Sequence, residues 1–474
     1  MRIVAETMLS IRVIRNSLLL AILLFSVVGP GLAQENSNRP NVILFLADDL
    51  GSGDLGFAGH PYVKTPHLDA FASQSLAISN GYSAGTWCSP SRYALMRGQY
   101  PGRGFYRDLT LNPDEPTIAS FLKTHGYTTA HIGKWHLKGK AFADYGFDFH
   151  FAVNGPENSV KKPGDKTFRA TSTEIFVDHA IAFIEDAGEQ PFYLNLWAQP
   201  THSYIDPLPE QLAIYDGLEV DIDDFDNPHQ RSYLKFIDSV GDLQAAMQAY
   251  CADVTELDKQ FGRLMAHLDS ARLSENTIVL FTSDNGPGPL HRQTEDTQQL
   301  LDRYVDFPTL INMVGSASKF RDRKSSIREG GIRVPYVVRF PNRIPAGKVD
   351  EESIVSGVDW FSTIADYLDE DMPEGHRFDG QSVKAVYEGR IATPNRMVHW
   401  YETRNAIAIR NGRYKLLNYS GKPNSPLELY DLVNDPGESK DLSKVHPERF
   451  QSMLRLLEEW RAQTVRQPPP VRLP

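Results

Sequence analysis

Four polar clusters stand directly behind apolar runs. Asp48 and Asp49 follow Asn41–Ala47 (NVILFLA), and Asp284 and Asn285 follow Thr277–Ser283 (TIVLFTS). Three carboxylates and one amide brought to one sheet edge would form an all-oxygen site. Such a set suits a hard cation, Ca2+ or Mg2+, rather than zinc. Without a cation the carboxylates would repel one another or take up protons. Taken singly, each pair is also an ordinary loop start, since Asp and Asn favour turns. The other two clusters are Gly133-Lys134-Trp135-His136 and Pro200-Thr201-His202, each following a short apolar run. They add a cation and two proton carriers.

Two further stretches belong with these. Cys88-Ser89-Pro90-Ser91-Arg92 opens a segment in which Pro90 fits the first turn of a helix running to about Arg97. That places Cys88 at a helix N-terminus, where backbone N–H groups favour an anion. Lys324 lies five residues before Glu329-Gly330-Gly331. Together Lys134, His136, His202 and Lys324 describe an anion pocket over a divalent cation. The second cysteine, Cys251, sits in a helical stretch and reads as a small buried hydrophobe. Gly51–Gly56 spells G-x-G-x-x-G, but a pyrophosphate there would face Asp48 and Asp49, and no clear helix follows. It is not read as a dinucleotide site.

These residues need elements to position them. Asn41–Ala47, Thr128–Ile132, Phe192–Ala198, Thr277–Ser283 and Val334–Phe340 read as buried strands, and Thr117–His125 and Gly241–Ser270 as helices. The alternation indicates a parallel α/β sheet covered on both faces. It sets the polar clusters at the C-terminal ends of strands, where open α/β sheets bind ligands. Past Asp379 the texture changes to short antiparallel strands at Ile407–Ile409, Tyr414–Asn418 and Leu427–Leu432. The amphipathic helix Pro447–Thr464 follows, and Pro468-Pro469-Pro470 ends the fold. The expected division is a catalytic domain over residues 38–378 and a smaller α+β subdomain over 379–474.

Length and composition narrow the class. The chain has 474 residues, of which 41% are hydrophobic and 23% charged, which excludes disordered, collagen-like and coiled-coil proteins. Two cysteines exclude a disulfide scaffold. A net charge of −11 argues against nucleic acid as a partner. Arg2, Arg12 and Arg15 precede a short apolar run, Ser17–Val28, and then small residues up to Ala33. This is the pattern of a cleaved signal peptide, residues 1–33, and not of a stable membrane anchor. The expectation is an exported protein, periplasmic or secreted.

The order of motifs resembles the type I, formylglycine-dependent sulfatases of the alkaline phosphatase superfamily. The resemblance runs through NVILFLADDLGSGDLGFAG, CSPSRYALMRG, GYTTAHIGKWHL, TIVLFTSDNG, KSSIREGGIRVP, GRYKLL and ELYDL, and covers most of residues 40–435. It implies an alkaline phosphatase-like fold: a large mixed, mostly parallel sheet sandwiched by helices, with the smaller C-terminal α+β subdomain. It implies a maturation enzyme that oxidises Cys88 to 3-oxoalanine (Cα-formylglycine). Asp48, Asp49, Asp284, Asn285 and modified Cys88 would then hold one cation, Ca2+ in preference to Mg2+. One hydroxyl of the hydrated aldehyde would attack sulfur, and the second would lose its proton and expel sulfate. A plain serine or cysteine adduct has no such exit.

The resemblance also implies residue roles. Arg92 would hold the diol, and Lys134 and Lys324 would neutralise sulfate oxygens. His136 would be the base that collapses the sulfated intermediate, and His202, alone or with Lys324, the acid that protonates the leaving oxygen. The chain departs from the family at His202-Ser203-Tyr204, where x-Pro often follows the histidine. The long stretch Gly286–Arg323, with His291, Arg292 and Arg303, reads either as a solvated charged loop or as a substrate-recognition lid. His399-Trp400-Tyr401-Glu402 with Arg404 reads either as a sugar-binding cluster or as subdomain packing. A sulfated carbohydrate is the expected substrate. Phosphatases and phosphonate monoester hydrolases share the implied fold and stay open as an alternative, as does a catalytically dead carbohydrate-binding relative.

Overall fold

The computed structural model describes residues 39–103, 110–160, 166–288, 311–402, 406–419 and 426–464. The leader segment 1–33 and the prolines at 468–470 lie outside the described residues. Eight strands form one sheet: β1 Asn41–Ala47, β2 Leu76–Tyr82, β3 Thr128–Lys134, β4 Phe149–Val153, β5 Phe192–Trp197, β6 Thr277–Ser283, β7 Tyr336–Arg339 and β8 Lys348–Ser356. Their order is β4-β3-β5-β1-β6-β7-β2-β8. Strand β7 runs antiparallel to both neighbours, and every other pairing in this sheet is parallel. The sheet is therefore mixed and mostly parallel.

Each sheet face has its own core, and β1 shows how the sequence divides between them. Ile43, Phe45 and Ala47 point to a core that includes Phe176 and Val177 of the Lys166–Ala187 helix and Leu257 and Phe261 of the Leu243–Ser270 helix. Val42, Leu44 and Leu46 point the other way, toward Met96, Leu122 and Phe361. A strand buried on both faces must be apolar throughout, as NVILFLA is. The long helix starts at Leu243 because the Asp242 carboxylate accepts from the Ala245 N–H and caps it. Cys251 is wholly buried within it. No helix among the described residues is long and apolar enough to cross a membrane.

A second sheet, order β12-β11-β10-β9, is antiparallel: β9 Met397–Tyr401, β10 Ile407–Asn411, β11 Tyr414–Asn418 and β12 Glu428–Asp431. One face packs Ile407, Ile409, Leu416 and Leu429 on Met453 and Leu457 of the Pro447–Thr464 helix. The other packs Trp400, Ala408 and Leu417 against Tyr82, Ile327 and Ile332, which belong to the large sheet and the segment before β7.

A buried ion cluster crosses that second interface. Glu329 accepts from Lys415 Nζ at 2.8 Å, Arg333 Nε at 2.7 Å and the Tyr82 hydroxyl at 2.7 Å. Lys415 also pairs with Glu438 at 2.9 Å, and none of these three side chains reaches solvent. Burial raises the Glu329 carboxyl, but Lys415, Arg333 and Arg410 outweigh it and leave the group well below the usual carboxylate range. Removing one member of such a cluster strands the others in a low dielectric. Glu329→Ala should therefore cost about 3–5 kcal/mol of stability. Chemical denaturation would show this. Glu329→Gln should lose less than Glu329→Ala, because the amide oxygen still gives Lys415 and Arg333 a buried acceptor.

Candidate active site

The strand order assembles the site. Strands β3, β5, β1 and β6 are neighbours, and their C-terminal ends deliver in turn Lys134 and His136, His202, Asp48 and Asp49, and Asp284 and Asn285. The β1–β6 register pairs Ala47 with Ser283, so the two acidic pairs leave the sheet side by side. The Asp49 N–H donates to Asp284 Oδ1 at 3.2 Å. The loop carrying His202 is tied to the same point: Asp48 N donates to Pro200 O at 2.9 Å, and Thr201 N to Asp48 O at 2.6 Å.

Cys88 is the first residue of the Cys88–Arg97 helix, which follows β2. Its Sγ lies 3.2 Å from Asp48 Oδ1, 3.2 Å from Lys324 Nζ and 3.6 Å from Lys134 Nζ. Arg92, four residues on, occupies the same helix face one turn later. Its Nε and Nη2 donate to Asp284 Oδ2 at 2.9 and 2.7 Å, and its Nη1 donates to the Lys134 carbonyl at 2.6 Å. The guanidinium lies over the Trp197 ring at 5.1 Å. Lys134 Nζ donates to Asp48, and Lys324 Nζ donates to both Asp49 oxygens at 2.6 and 2.8 Å. Three carboxylates thus meet three cations with almost no solvent among them.

This balance sets the acidities. Burial raises Asp48, but Lys134, His202 and Arg92 outweigh it and hold it well below its ordinary value. Asp49 is also raised by burial and pulled back, net downward, mainly by Lys324. Asp284 goes the other way: burial and the Asp48 charge push it up to about 6 against Arg92. Burial, Asp284 and Asp48 push the Cys88 thiol well above its ordinary value. Burial, then Lys134, bring His136 down to about 3 and His202 to about 4.

The donor set fits a hard cation. One ligand atom each from Asp48, Asp49, Cys88 and Asp284 fall within 4.8 Å of one another. Asn285 donates its amide to Asp49 Oδ1 at 2.8 Å, while its Oδ1 is buried with no protein partner. A buried amide oxygen left without a donor beside an upshifted carboxylate is what an oxygen-ligated cation would satisfy. Gly51, the first residue of the G-x-G-x-x-G run, serves packing: a Cβ on it would lie 2.1 Å from the Ser316 carbonyl.

The substrate-recognition expectations fare differently. His291, Arg292, Arg303 and Arg404 lie outside the described residues. His399 is not brought to this site. Its ring stacks on Trp460 at 4.5 Å and 8°, and its backbone N–H donates to the Tyr100 hydroxyl. Tyr100 lies beyond Arg97, at the end of the helix opposite Cys88. His399 is only 8% exposed, and packing against the C-terminal helix accounts for it. Conversely, Arg169 was not legible as a site residue: it clamps Asp253 and donates to the His202 carbonyl at 2.9 Å. Nothing local to Arg169 signals that contact, which depends on two helices meeting.

Comparison with known proteins agrees with this geometry. The family model described as Sulfatase matches residues 40–370, and one described as N-sulphoglucosamine sulphohydrolase, C-terminal, matches residues 319–464. The chain belongs to the sulfatase family and is a sulfuric ester hydrolase. It is 27% identical to an N-acetylgalactosamine-6-O-sulfatase of Bacteroides thetaiotaomicron, over 90% of this chain and 93% of that protein. Among solved structures it is similar to Ps i-CgsB in complex with k-i-k-neocarrahexaose, with TM-score 0.73, 23% identity, and coverage of 91% of this chain and 94% of that one. It is also similar to a phosphonate monoester hydrolase from Silicibacter pomeroyi, with TM-score 0.67, 17% identity, and coverage of 90% and 96%. These two likenesses establish the alkaline phosphatase-like fold.

Arg92 makes the direct guanidinium contact with Asp284, so its loss should expose that carboxylate's burial cost. Arg92→Ala is expected to destabilise the protein by about 3–5 kcal/mol. Arg92→Lys should recover only part, since an ammonium cannot reproduce the fork. Urea denaturation of the three proteins measures both.

Proposed function

We propose that the protein is an exported sulfatase acting on a sulfated carbohydrate, with Cys88 matured to formylglycine and one Ca2+ held by Asp48, Asp49, Asp284, Asn285 and residue 88. The observation that carries this reading is the position of Cys88: a helix N-terminus with Asp48, Lys134 and Lys324 within 4 Å of its sulfur. The matured residue supplies a hydrated aldehyde as nucleophile, and a dication supplies polarisation of a sulfate oxygen. The glycan class is supported by the relatives' names, and export by the leader pattern in residues 1–33.

The chain's own residues do the rest. Lys134 and Lys324, fixed by Asp48 and Asp49, bind sulfate oxygens and offset the charge that gathers there. Arg92 orients residue 88 from the next helical turn. His136 stands at a left-handed backbone position, φ 56°, edge-on to Trp87, with its Nδ1 free of protein partners. In this reading it takes a proton from residue 88. The His202 Nδ1 donates to the Ser203 carbonyl at 2.7 Å, which fixes the ring. With a pKa of about 4 the free ring carries its one proton on Nδ1, so Nε2 must first take up a second proton, which the charge of a bound sulfate favours, before it delivers that proton to the departing oxygen.

The direct test is turnover. Matured protein should hydrolyse an aryl sulfate and sulfated monosaccharides far faster than aryl phosphate, and peptide mass spectrometry should find an aldehyde or its hydrate at position 88. Cys88→Ala should abolish turnover, whereas Cys251→Ala should retain most of it. Full activity from an unmodified thiol would refute the maturation step.

The cation reading has its own measurement. Added Ca2+ should raise the unfolding temperature, and at a hundredfold excess over Kd the gain is about 2.7 kcal/mol. Asn285→Ala should shrink the shift. So should acid: Asp284 takes up a proton as pH falls through about 6, the proton competes with the ion, and the Ca2+-dependent shift is larger at pH 7 than at pH 5.

A further inference from the structure

We infer that the Tyr204 ring forms an aromatic platform that receives the sugar ring bearing the sulfate. This rests on the sulfatase reading above and names the residue that would recognise a ring.

Tyr204 is 62% exposed, the most exposed aromatic side chain among the described residues. Its exposure does not come from a slack loop. Thr201 and Ile205, on either side, are buried at 0% and 1% exposure. The intervening backbone is held at several points. Asn312 donates to the Thr201 carbonyl, Arg169 donates to the His202 carbonyl at 2.9 Å, and His202 N donates to Gln199 O at 2.9 Å. The chain is clamped on a rigid frame, and the ring projects into solvent from it. A ring held open on a fixed frame is available for contact with a ligand. A tyrosine ring gives such contact at low entropic cost, with two side-chain torsions.

Its position says what it would contact. Tyr204 is two residues from His202, and His202 reaches the cluster formed with Asp48 and Cys88. In the proposed chemistry His202 faces the departing oxygen. The next group outward from that oxygen is the ring of the leaving alcohol, and Tyr204 is carried by the same clamped loop as His202. The groups buried beside Cys88 are charged, Lys134 and Lys324 among them, and Tyr204 adds an exposed apolar face. A sulfated pyranose matches both: an anion for the lysines and a C–H face for the ring.

The test compares kcat/KM for N-acetylgalactosamine 6-sulfate with that for glyceryl 1-sulfate, a ring-free ester of the same charge, in wild type, Tyr204→Phe and Tyr204→Ala. The expected result is a wild-type preference for the cyclic ester that falls about five- to tenfold in Tyr204→Ala through KM, and is kept in Tyr204→Phe. The ring is exposed, so both variants should keep the wild-type unfolding temperature, which shows that they fold. Equal losses on the two esters would overturn the platform, as would a Phe variant that behaves like Ala. The outcomes also separate this inference from the reading beneath it. A wild type that turns over only glyceryl sulfate defeats the carbohydrate assignment and the platform together. A wild-type preference that survives Tyr204→Ala defeats the platform alone.

Discussion

Three carboxylates cannot share a dry pocket unless their charge is answered locally, and that requirement organises the molecule. Asp48, Asp49 and Asp284 are each buried, and each is met by a cation from a different element: Lys134 from the end of β3, Lys324 from the segment before Glu329, and Arg92 from the helix that begins at Cys88. Desolvating one carboxylate without a partner costs several kcal/mol. The positions of β3, of the Cys88 helix and of the Lys324 segment are therefore not independent. Asp284 is the least well compensated of the three, which is why it alone is pushed upward. A divalent cation would answer that residual charge and the orphaned Asn285 oxygen together.

Much of this was legible in the sequence because it follows from strand ends. Two apolar heptads ending in Asp-Asp and Asp-Asn pair in register as β1 and β6, and the remaining polar clusters fall on neighbouring strands. The less legible elements share a cause. Strand β8, KVDEESIVS, is solvated over its first half and gains its apolar partners only from β2. Strand β7 has the right residues, but a local reading says nothing of direction, and it runs against its neighbours. The Lys166–Ala187 helix buries Phe176, Val177, Ala180, Phe183 and Ile184 at helical spacing, yet it contains Thr171, Thr173, Ile175 and Val177, residues that also suit a strand.

His399 and Tyr204 show where local chemistry stops predicting function. The run His399-Trp400-Tyr401-Glu402 has the composition of a sugar-binding surface. Its rings are nevertheless consumed by tertiary contacts: His399 on Trp460, and Trp400 on Tyr82 with its indole N–H on the Ser83 carbonyl. Tyr204 stands alone in an unremarkable stretch and is left bare. What separates the two is the presence of a second apolar surface within reach, and only the fold supplies that. The sequence did mark the place, because Tyr204 stands where the family often has proline.

The C-terminal sheet is linked to the charged cluster around Cys88 through one chain segment. Lys324 N donates to Pro287 O at 3.0 Å, next to the Asp284-Asn285 pair, and Ser325 N donates to Thr86 O at 2.7 Å, two residues before Cys88. Five residues after Lys324, Glu329 is fixed by Lys415 of β11, and its own N–H donates to Glu438 at 2.8 Å. Lys324 is thus suspended between the active site and a buried ion cluster belonging to the second sheet. Loosening that cluster would release the cation on Asp49 before it disturbed β1 or β6, whose cores lie on the faces of the large sheet. The second sheet thereby acts as the rear support of Lys324, through an ion cluster that lies five residues further along the chain.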